Sequence, residues 1–126
     1  MIAGLGIDCI EIERVAARVN REGGFRELIF SPGEIEYCER KADKFMHYAA
    51  CFAAKEAFFK ALGTGWAEGT AFHEVEIGHD ELGRPVLFLQ GGTKASVAAR
   101  GTFNFWVSLS HLKSIATAVV IIEMQS

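Results

Sequence analysis

The sequence lacks the features that mark membrane, secreted and zinc-knuckle proteins. Its longest strongly apolar run, residues 115–122, has eight residues, whereas a transmembrane helix needs about 20, so we expect no membrane association. Residues 1–4 lack a basic segment, and no signal peptide is expected. The three cysteines, Cys9, Cys38 and Cys51, form no Cys-x-x-Cys pair. This spacing favours a reduced, cytoplasmic protein without a zinc site.

Positive charge is also scarce. Thirteen Lys and Arg residues stand against sixteen Asp and Glu residues, which gives a net charge of −3. A protein that holds nucleic acid by its overall charge is basic, so we expect no nucleic-acid partner, and an anionic partner would have to meet a local basic patch. The 126 residues, half of them hydrophobic, fit one domain over residues 1–126 and leave no room for a second core.

What is present is a regular succession of strands and helices. Alternating or continuous apolar segments predict strands, and apolar spacings of three and four with capping signals predict helices. The predicted elements are a strand at 2–10, helices at 11–20, 32–40 and 43–62, strands at 72–78 and 85–89 around a turn at 80–83, a helix at 93–100, and a hairpin of strands at 103–110 and 115–122. The predicted class is α+β, with a mainly antiparallel sheet packed against the long helix.

Three details of these elements go beyond their boundaries. Residues 31–34, Ser-Pro-Gly-Glu, predict a capping box at a helix start. In the first strand, Gly4 and Gly6 share a face with Asp8, and we expect the missing side chains to leave that face open to a ligand. The continuous apolar strand at 115–122 is predicted to be buried on both faces.

Two carboxylates have unusual positions. Glu56 lies in the apolar stripe of the long helix, in the row of Phe52 and Phe59, where a charge is costly unless it is paired, protonated or bound to metal. The spacing allows a buried ion pair with Lys60 one turn on, and equally a metal ligand or a base. Asp8 ends a hydrophobic strand, as either a cap for the next helix or a ligand. Two carboxylates that converge from different elements suit Mg²⁺.

The first helix carries a row of arginines. Arg14, Arg18 and Arg21 recur at spacings of four and three, with Phe25 just beyond. Neighbouring glutamates can pair with them, or the row can form a docking face for an acidic partner. The pattern alone leaves both interpretations open.

The histidines and the other helical lysine give weaker signals. His111 follows the strand at 103–110, and a lone histidine at a hairpin is typical of a surface residue. Three more show no ligand spacing and are interpreted as structural: His47, His73 and His79. Lys55 and Lys60 flank Glu56; lysines on helices are usually solvated, but near a metal they can hold phosphate charge.

Taken together, the motifs resemble those of holo-[acyl-carrier-protein] synthases, the small 4′-phosphopantetheinyl transferases. Order, spacing and total length agree, so the resemblance covers essentially the whole chain, and its most specific part is the block at 52–65. The matching segments are Gly-Ile-Asp at 6–8, Glu-Arg at 13–14, Phe-Ala-Ala-Lys-Glu-Ala at 52–57, Lys60, Ala-Leu-Gly-Thr-Gly at 61–65, Gly-Arg-Pro at 83–85 and Ser-Leu-Ser-His at 108–111.

The resemblance implies a reaction and an assembly. Such enzymes transfer the 4′-phosphopantetheine arm of coenzyme A to a serine of acyl carrier protein and release adenosine 3′,5′-bisphosphate. They use Mg²⁺, form homotrimers with active sites at subunit interfaces, and act in cytoplasmic fatty acid synthesis. From the residues alone, a site spread over the first strand, the long helix and the final hairpin could close within one chain, so the homotrimer depends on the resemblance.

The resemblance also assigns residues. By motif match, Asp8 and Glu56 become the metal ligands, and Glu56, Lys60 and His111 become the catalytic residues. The helix with Arg14, Arg18, Arg21 and Phe25 becomes the docking face for the acidic carrier protein. Coenzyme A contacts are expected from Lys44, Lys55, Lys60, Gly63, Gly65, Pro85 and His111.

One position departs from the family pattern. Cys51 stands just before Phe52, where the family usually has an arginine that helps to hold phosphate charge of coenzyme A. Cysteine provides no cationic contact. We expect Lys44, seven residues earlier on the same helical face, or Arg40 or Lys41 to supply the missing charge; otherwise position 51 is a packing site.

Two other functions are compatible with this fold. One is a catalytically silent protein that binds coenzyme A or a carrier protein, and the other is a metal-dependent hydrolase of nucleotide pyrophosphates. The joint presence of Asp8, Lys55, Glu56 and Lys60 argues against a silent protein. A hydrolase would release phosphopantetheine without a carrier protein, whereas a transferase needs one.

Overall fold

The computed structural model describes residues 1–64 and 69–125. The elements are β1 (Ile2–Glu11), α1 (Ile12–Asn20), α2 (Phe25–Ile29), α3 (Pro32–Glu39), α4 (Lys44–Leu62), a 3-10 helix (Phe72–Glu74), β2 (Val75–His79), β3 (Pro85–Leu89), α5 (Gly91–Ala98), β4 (Phe103–His111) and β5 (Ile115–Met124). The sequence pattern does not predict α2 or the 3-10 helix, because five and three residues are too short to show a period.

The strands form two antiparallel sheets. In the larger one, β5 lies between β1 and β4, and β2 and β3 pair in the smaller one. The register places Ala118 of β5 opposite Asp8 of β1 on one side and opposite Leu109 of β4 on the other. This arrangement, with α4 packed on the larger sheet, confirms the predicted α+β class with a mainly antiparallel sheet.

The helix α4 lies directly on β1 because two glycines let the backbones touch. A Cβ atom on Gly4 would overlap the carbonyl oxygen of Ala61, and one on Gly6 would overlap that of Ala57. The glycines therefore make room for a helix backbone, and the prediction that they open this face of β1 to a ligand is wrong. Because alternate residues of a strand share a face, the same approach brings Asp8 beside α4.

The opposite face of the larger sheet is apolar and uncovered in the single chain. Leu5, Ile7 and Trp106 are 66%, 61% and 53% exposed, and Val119 and Ile121 between them are half-buried. We call these five residues the outer sheet face. Strand β5 is fully buried only on its helix side, where every second residue is inaccessible. The prediction that β5 is buried on both faces is therefore wrong for the single chain.

A buried ion pair joins α3 to α4. The side chain of Lys55 has no exposed surface, and its Nζ atom lies 2.7 Å from Oε1 of Glu34. The same ammonium donates to the carbonyl oxygen of Phe72 at 2.9 Å and to that of Val75. All three of its protons are therefore bonded, one to α3 and two to the segment that leads into β2.

The carboxylate of Glu34 is bonded just as completely. Its Oε1 atom also accepts from the N–H of Ser31, and Ser31 Oγ accepts from the N–H of Glu34, which confirms the predicted capping box. Its Oε2 atom accepts from the N–H of Ile77 at 2.7 Å and from the thiol of Cys51 at 3.0 Å. We call the pair and its partners the Glu34–Lys55 network, and it fastens α3, α4 and β2 to one another.

Substitution of Lys55 by Met tests this network. The variant keeps a long side chain but leaves the Glu34 carboxylate buried without its cation. We expect the free energy of unfolding to fall by about 3–5 kcal/mol, because breaking a buried pair leaves an uncompensated charge. Urea denaturation followed by circular dichroism measures the change.

Lys60→Met, on the same helix, is the matched control. Lys60 pairs with Asp8 at the surface, with 55% of its side chain exposed, and such pairs contribute about 1 kcal/mol or less. The double variant Glu34→Gln/Lys55→Met should recover part of the loss. Equal losses for Lys55→Met and Lys60→Met would contradict the structural role assigned to the network.

Candidate functional site

The predicted metal ligands face the same cavity. Asp8 from β1 and Glu56 from α4 line a cavity of about 370 Å³, together with Arg14 and Arg18 of α1. We call it the carboxylate cavity. The N-cap residue of α1 is Glu11, whose side chain makes no capping hydrogen bond. Asp8 faces the cavity and does not cap this helix, so the structure favours the ligand interpretation of Asp8.

Glu56 is half-buried in this cavity. Burial raises the pKa of its carboxyl above the ordinary value, and the negative charge of Asp8 raises it further. The positive charges of Lys60 and Arg18 oppose this rise in pKa in part. Two carboxylates that disfavour each other's charge in a partly buried site provide the electrostatic setting that a divalent cation relieves.

Lys60 bonds to the other carboxylate. Its Nζ atom lies 3.0 Å from Oδ1 of Asp8 and 3.0 Å from the carbonyl oxygen of Ile7. Within residues 1–64 and 69–125 no ion pair of Glu56 is formed, so the buried Glu56–Lys60 pair allowed by the spacing is not the arrangement adopted. Lys60 therefore places a positive charge at the edge of the carboxylate cavity.

The donor set fits Mg²⁺. In the described part of the chain, no three His, Cys, Asp or Glu side chains converge to form a complete metal cage. Mg²⁺ binds through one or two carboxylates and completes its octahedron with water and phosphate oxygens. Asp8 and Glu56 present two carboxylates to one partly open cavity, so these residues fit such an ion.

The arginine row of α1 is exposed and continues from this cavity. Arg18, Arg21 and Phe25 line an adjacent cavity of about 410 Å³, and the Arg18 guanidinium lies 5.8 Å from the centre of the Phe25 ring. In the described ranges, none of the ion pairs involves Arg14, Arg18 or Arg21. The interpretation that neighbouring glutamates neutralise them is therefore not supported, and the row remains available to an acidic partner.

Two of the predicted coenzyme A contacts lie outside the carboxylate cavity. Pro85 and His111 line a separate cavity of about 410 Å³, which we call the imidazole cavity. Its other lining residues include Tyr37, His47 and His79. Spacing does not reveal this cluster, because its members come from separate elements, and the interpretation of His47 and His79 as merely structural overlooks it.

The two cavities share no lining residue. The carboxylate cavity takes Phe52 and Glu56 from α4, whereas the imidazole cavity takes Met46, His47 and Ala50 from another face of the same helix. The predicted metal ligands and His111 therefore line different cavities of the single chain.

The lysines expected at coenzyme A have other partners. Lys55 is fully buried within the Glu34–Lys55 network and has no proton left to donate, so the prediction that it contacts coenzyme A is wrong. The Nζ atom of Lys44 lies 3.2 Å from Oε1 of Glu39. Lys44 does not line the imidazole cavity. Its role as a substitute cation stays a prediction.

Position 51 belongs to the core. Cys51 is buried and its thiol donates to Glu34. Burial raises the pKa of this thiol well above its ordinary value, and the Glu34 charge adds to the effect, so the thiol stays neutral. This position is therefore a packing site, the alternative that the sequence left open.

The end of α4 carries the two predicted glycine contacts. Gly63 adopts a φ of 84° and its N–H donates to the carbonyl oxygens of Phe59 and Lys60, which ends the helix where predicted. Gly65 lies outside the described residues. None of the described helices is long and apolar enough to cross a membrane.

Known proteins are similar to this chain in sequence and fold. Residues 4–120 match the family model of the 4′-phosphopantetheinyl transferase superfamily. A holo-[acyl-carrier-protein] synthase of Syntrophus aciditrophicus is 45% identical over 124 residues, which cover 98% of this chain and 97% of that protein. The crystal structure of holo-[acyl-carrier-protein] synthase from Neisseria meningitidis aligns with a TM-score of 0.89 at 31% identity, over 98% of this chain and 99% of that one.

A second similar solved structure is that of a ligand complex. It is a holo-(acyl-carrier-protein) synthase from Bacillus anthracis in complex with CoA (3′,5′-ADP), with a TM-score of 0.83 and 31% identity over 99% of both chains. A family model that spans most of the chain and relatives that match nearly its full length agree with each other. The chain therefore belongs to the 4′-phosphopantetheinyl transferase superfamily, in its holo-[acyl-carrier-protein] synthase family.

Proposed function

We propose that this chain transfers the 4′-phosphopantetheine group of coenzyme A to a serine of apo-acyl carrier protein and releases adenosine 3′,5′-bisphosphate. The observation that carries the proposal is the convergence of Asp8 and Glu56 in a cavity edged by Lys60 and by exposed arginines. Family membership supplies the reaction, and this cavity brings together the groups that the reaction requires.

Charge governs the chemistry. The serine oxygen forms a bond to the pyrophosphate phosphorus that carries the pantetheine arm. The bond from that phosphorus to the bridging oxygen breaks, and the bridging oxygen leaves with the nucleotide. Mg²⁺, held by Asp8 and Glu56, would supply positive charge to the pyrophosphate oxygens as they become more negative. Lys60 adds a fixed positive charge from the protein itself.

The serine proton needs an acceptor. Glu56 is one acceptor that the arrangement allows, because its carboxylate lies in the same cavity as Asp8. A water molecule at the site is the other acceptor that the arrangement allows. His111 provides a polar contact to the transferred phosphate in this scheme.

The proposed active unit is a homotrimer with sites between subunits. Two observations support an assembly: His111 and the carboxylates line separate cavities in one chain, and the outer sheet face leaves Leu5, Ile7 and Trp106 uncovered. An exposed contiguous apolar patch is typical of a protein interface. The proposed role of the reaction is in cytoplasmic fatty acid synthesis.

Intact-mass spectrometry of apo-acyl carrier protein tests the function. After incubation with this protein, coenzyme A and Mg²⁺, the carrier protein should gain the mass of one phosphopantetheine. No gain, with coenzyme A intact, would indicate a silent binding protein. Phosphopantetheine released without a carrier protein would indicate a hydrolase.

Removal of one ligand charge should separate activity from stability. Glu56→Gln and Asp8→Asn keep side-chain shape, and we expect each to lower the transfer rate at least about a hundredfold, because charge stabilisation by a metal supplies several kcal/mol. In metal-free buffer at pH 7, Glu56→Gln should raise the melting temperature. A carboxyl with a raised pKa destabilises the folded state once it is ionised, so the gain should vanish as the pH falls below the ordinary glutamate pKa.

Glu36→Gln, an exposed carboxylate on α3, is the control for both measurements and should change neither. Transfer rates are measured at modest Mg²⁺ with the intact-mass assay, and melting by circular dichroism. Near-normal rates for either ligand variant would refute the two-carboxylate metal site.

Charge reversal in the arginine row should weaken docking alone. Arg14→Glu and Arg21→Glu should each lower the affinity for apo-acyl carrier protein about tenfold at low salt, because exposed charges steer an acidic partner. Coenzyme A affinity should be unchanged, and the wild-type affinity for the carrier protein should fall as salt rises. Surface plasmon resonance and calorimetry measure the two affinities.

Lys94→Glu reverses a lysine on α5, far along the chain from the arginine row, and should leave carrier-protein affinity unaltered. If the arginine variants lose coenzyme A affinity as strongly as carrier-protein affinity, the row has been misassigned.

A charge on the outer sheet face should prevent assembly. Leu5 is exposed in the single chain, so Leu5→Lys should leave the fold of each subunit intact, while a buried lysine at an interface opposes association. We expect light scattering to show a trimer for the wild type and a monomer for Leu5→Lys, with loss of transfer activity. Leu82→Lys, at a residue 95% exposed in a turn, is the control and should remain trimeric. A fully active wild-type monomer at micromolar concentration would overturn the proposed assembly.

A further inference from the structure

The imidazole cavity has the composition of an anion site. His47, His79 and His111 line it together with Tyr37 and Ser110, and no carboxylate from residues 1–64 or 69–125 lines it. In the described residues, its histidines are not grouped closely enough to hold a metal ion. Its volume of about 410 Å³ lies in the usual range of small-molecule sites.

His47 is held in place from two sides. Its Nε2 atom lies 3.1 Å from Oδ1 of Asp43, one turn earlier on the chain, and its side chain is 22% exposed. The Tyr37 ring meets it edge to face, with ring centres 5.6 Å apart. A carboxylate at one ring nitrogen orients an imidazole and leaves the other nitrogen, Nδ1, to a ligand.

His79 forms a wall of the cavity. Its ring stacks on Tyr37 with centres 4.2 Å apart, and the Nζ atom of Lys41 lies 4.8 Å from the centre of the same Tyr37 ring. Burial lowers the pKa of His79, and His47 and Lys41 lower it further, against a smaller opposing effect of Asp80. His79 is therefore neutral at pH 7 and does not supply the positive charge.

Three other groups near this cavity are bonded to partners outside it. Asp80 is bonded to Arg84 at 3.1 Å, and Glu34, which borders a small neighbouring space, belongs to the Glu34–Lys55 network. Cys51 supplies no cation, because its neutral thiol donates to Glu34. On α4, His47 is the basic side chain that lines the cavity.

We propose that His47 is a binding and specificity residue for the 3′-phosphate of coenzyme A, with its imidazolium, oriented by Asp43 and Tyr37, donating through Nδ1 to that phosphate in the imidazole cavity. This contact rests on the proposed function. The apolar side chains of Met46 and Pro85 line the part of the cavity left for the nucleoside. A phosphate monoester is the ligand group that a single oriented imidazolium matches, because it carries charge and several acceptor oxygens.

Isothermal titration calorimetry with adenosine 3′,5′-bisphosphate as the probe tests the contact. At pH 7.5 the phosphate is already largely dianionic, so proton uptake on binding comes from the protein. Titrations in buffers of different ionisation enthalpy should show proton uptake by the wild type. His47→Gln should bind about tenfold more weakly and take up fewer protons, and His47→Arg should restore the affinity without restoring the uptake.

Two comparisons keep the test specific. Adenosine 5′-monophosphate lacks the 3′-phosphate, so its affinity should be the same for the wild type and His47→Gln. His73→Gln, at an exposed histidine outside the cavity, should bind both nucleotides like the wild type. Melting curves check that each variant is folded.

Normal binding and proton uptake by a folded His47→Gln would overturn the contact, and so would an equal loss for both nucleotides. If either result were found and the wild-type enzyme still added one phosphopantetheine to apo-acyl carrier protein, the proposed function would stand without the contact. Tight, His47-dependent binding by a wild type that adds no mass would support the contact and contradict the transfer reaction.

Discussion

A single buried ion pair, Lys55 with Glu34, holds together the elements on which both cavities depend. A pair taken out of water is costly unless every remaining proton and lone pair is bonded. Here the ammonium makes three bonds, and the carboxylate accepts from Ser31, Lys55, Cys51 and Ile77. Because these partners lie on α3, α4 and at β2, the pair sets the positions of three elements at once.

The two cavities follow from this anchoring. Successive residues of a helix point about 100° apart, so fixing Lys55 toward β2 also fixes the direction of Glu56, which faces Asp8. The same three elements supply Tyr37, His47 and His79 to the imidazole cavity. One structural contact thus orients both the Glu56 carboxylate and a group of aromatic and imidazole side chains on another face of the helix.

Much of the fold was accessible from the sequence because its signals are local. The stripe and the terminal glycine of α4, the Ser-Pro-Gly-Glu start of α3 and the alternation in β4 each depend on neighbouring residues, and the structure has these elements close to the predicted bounds. The pairing of Asp8 with Glu56 was also predictable, since two carboxylates in apolar settings each needed an explanation. The buried ion pair of Lys55 was not predictable, because a helical lysine is usually solvated and its carboxylate partner lies in a different helix. The separation of His111 from the carboxylates depends on how the strands pack against α4. No local residue pattern encodes that packing.

The contact of β1 with α4 has a consequence for how such a chain can diverge. At Gly4 and Gly6 the strand meets the helix main chain to main chain, with the carbonyl oxygens of Ala57 and Ala61 where side chains would otherwise be. The separation of Asp8 and Glu56 is therefore set by backbone atoms that every amino acid shares. Core side chains elsewhere can exchange one apolar residue for another over evolutionary time without moving the two carboxylates apart, whereas one added methyl group at either glycine would.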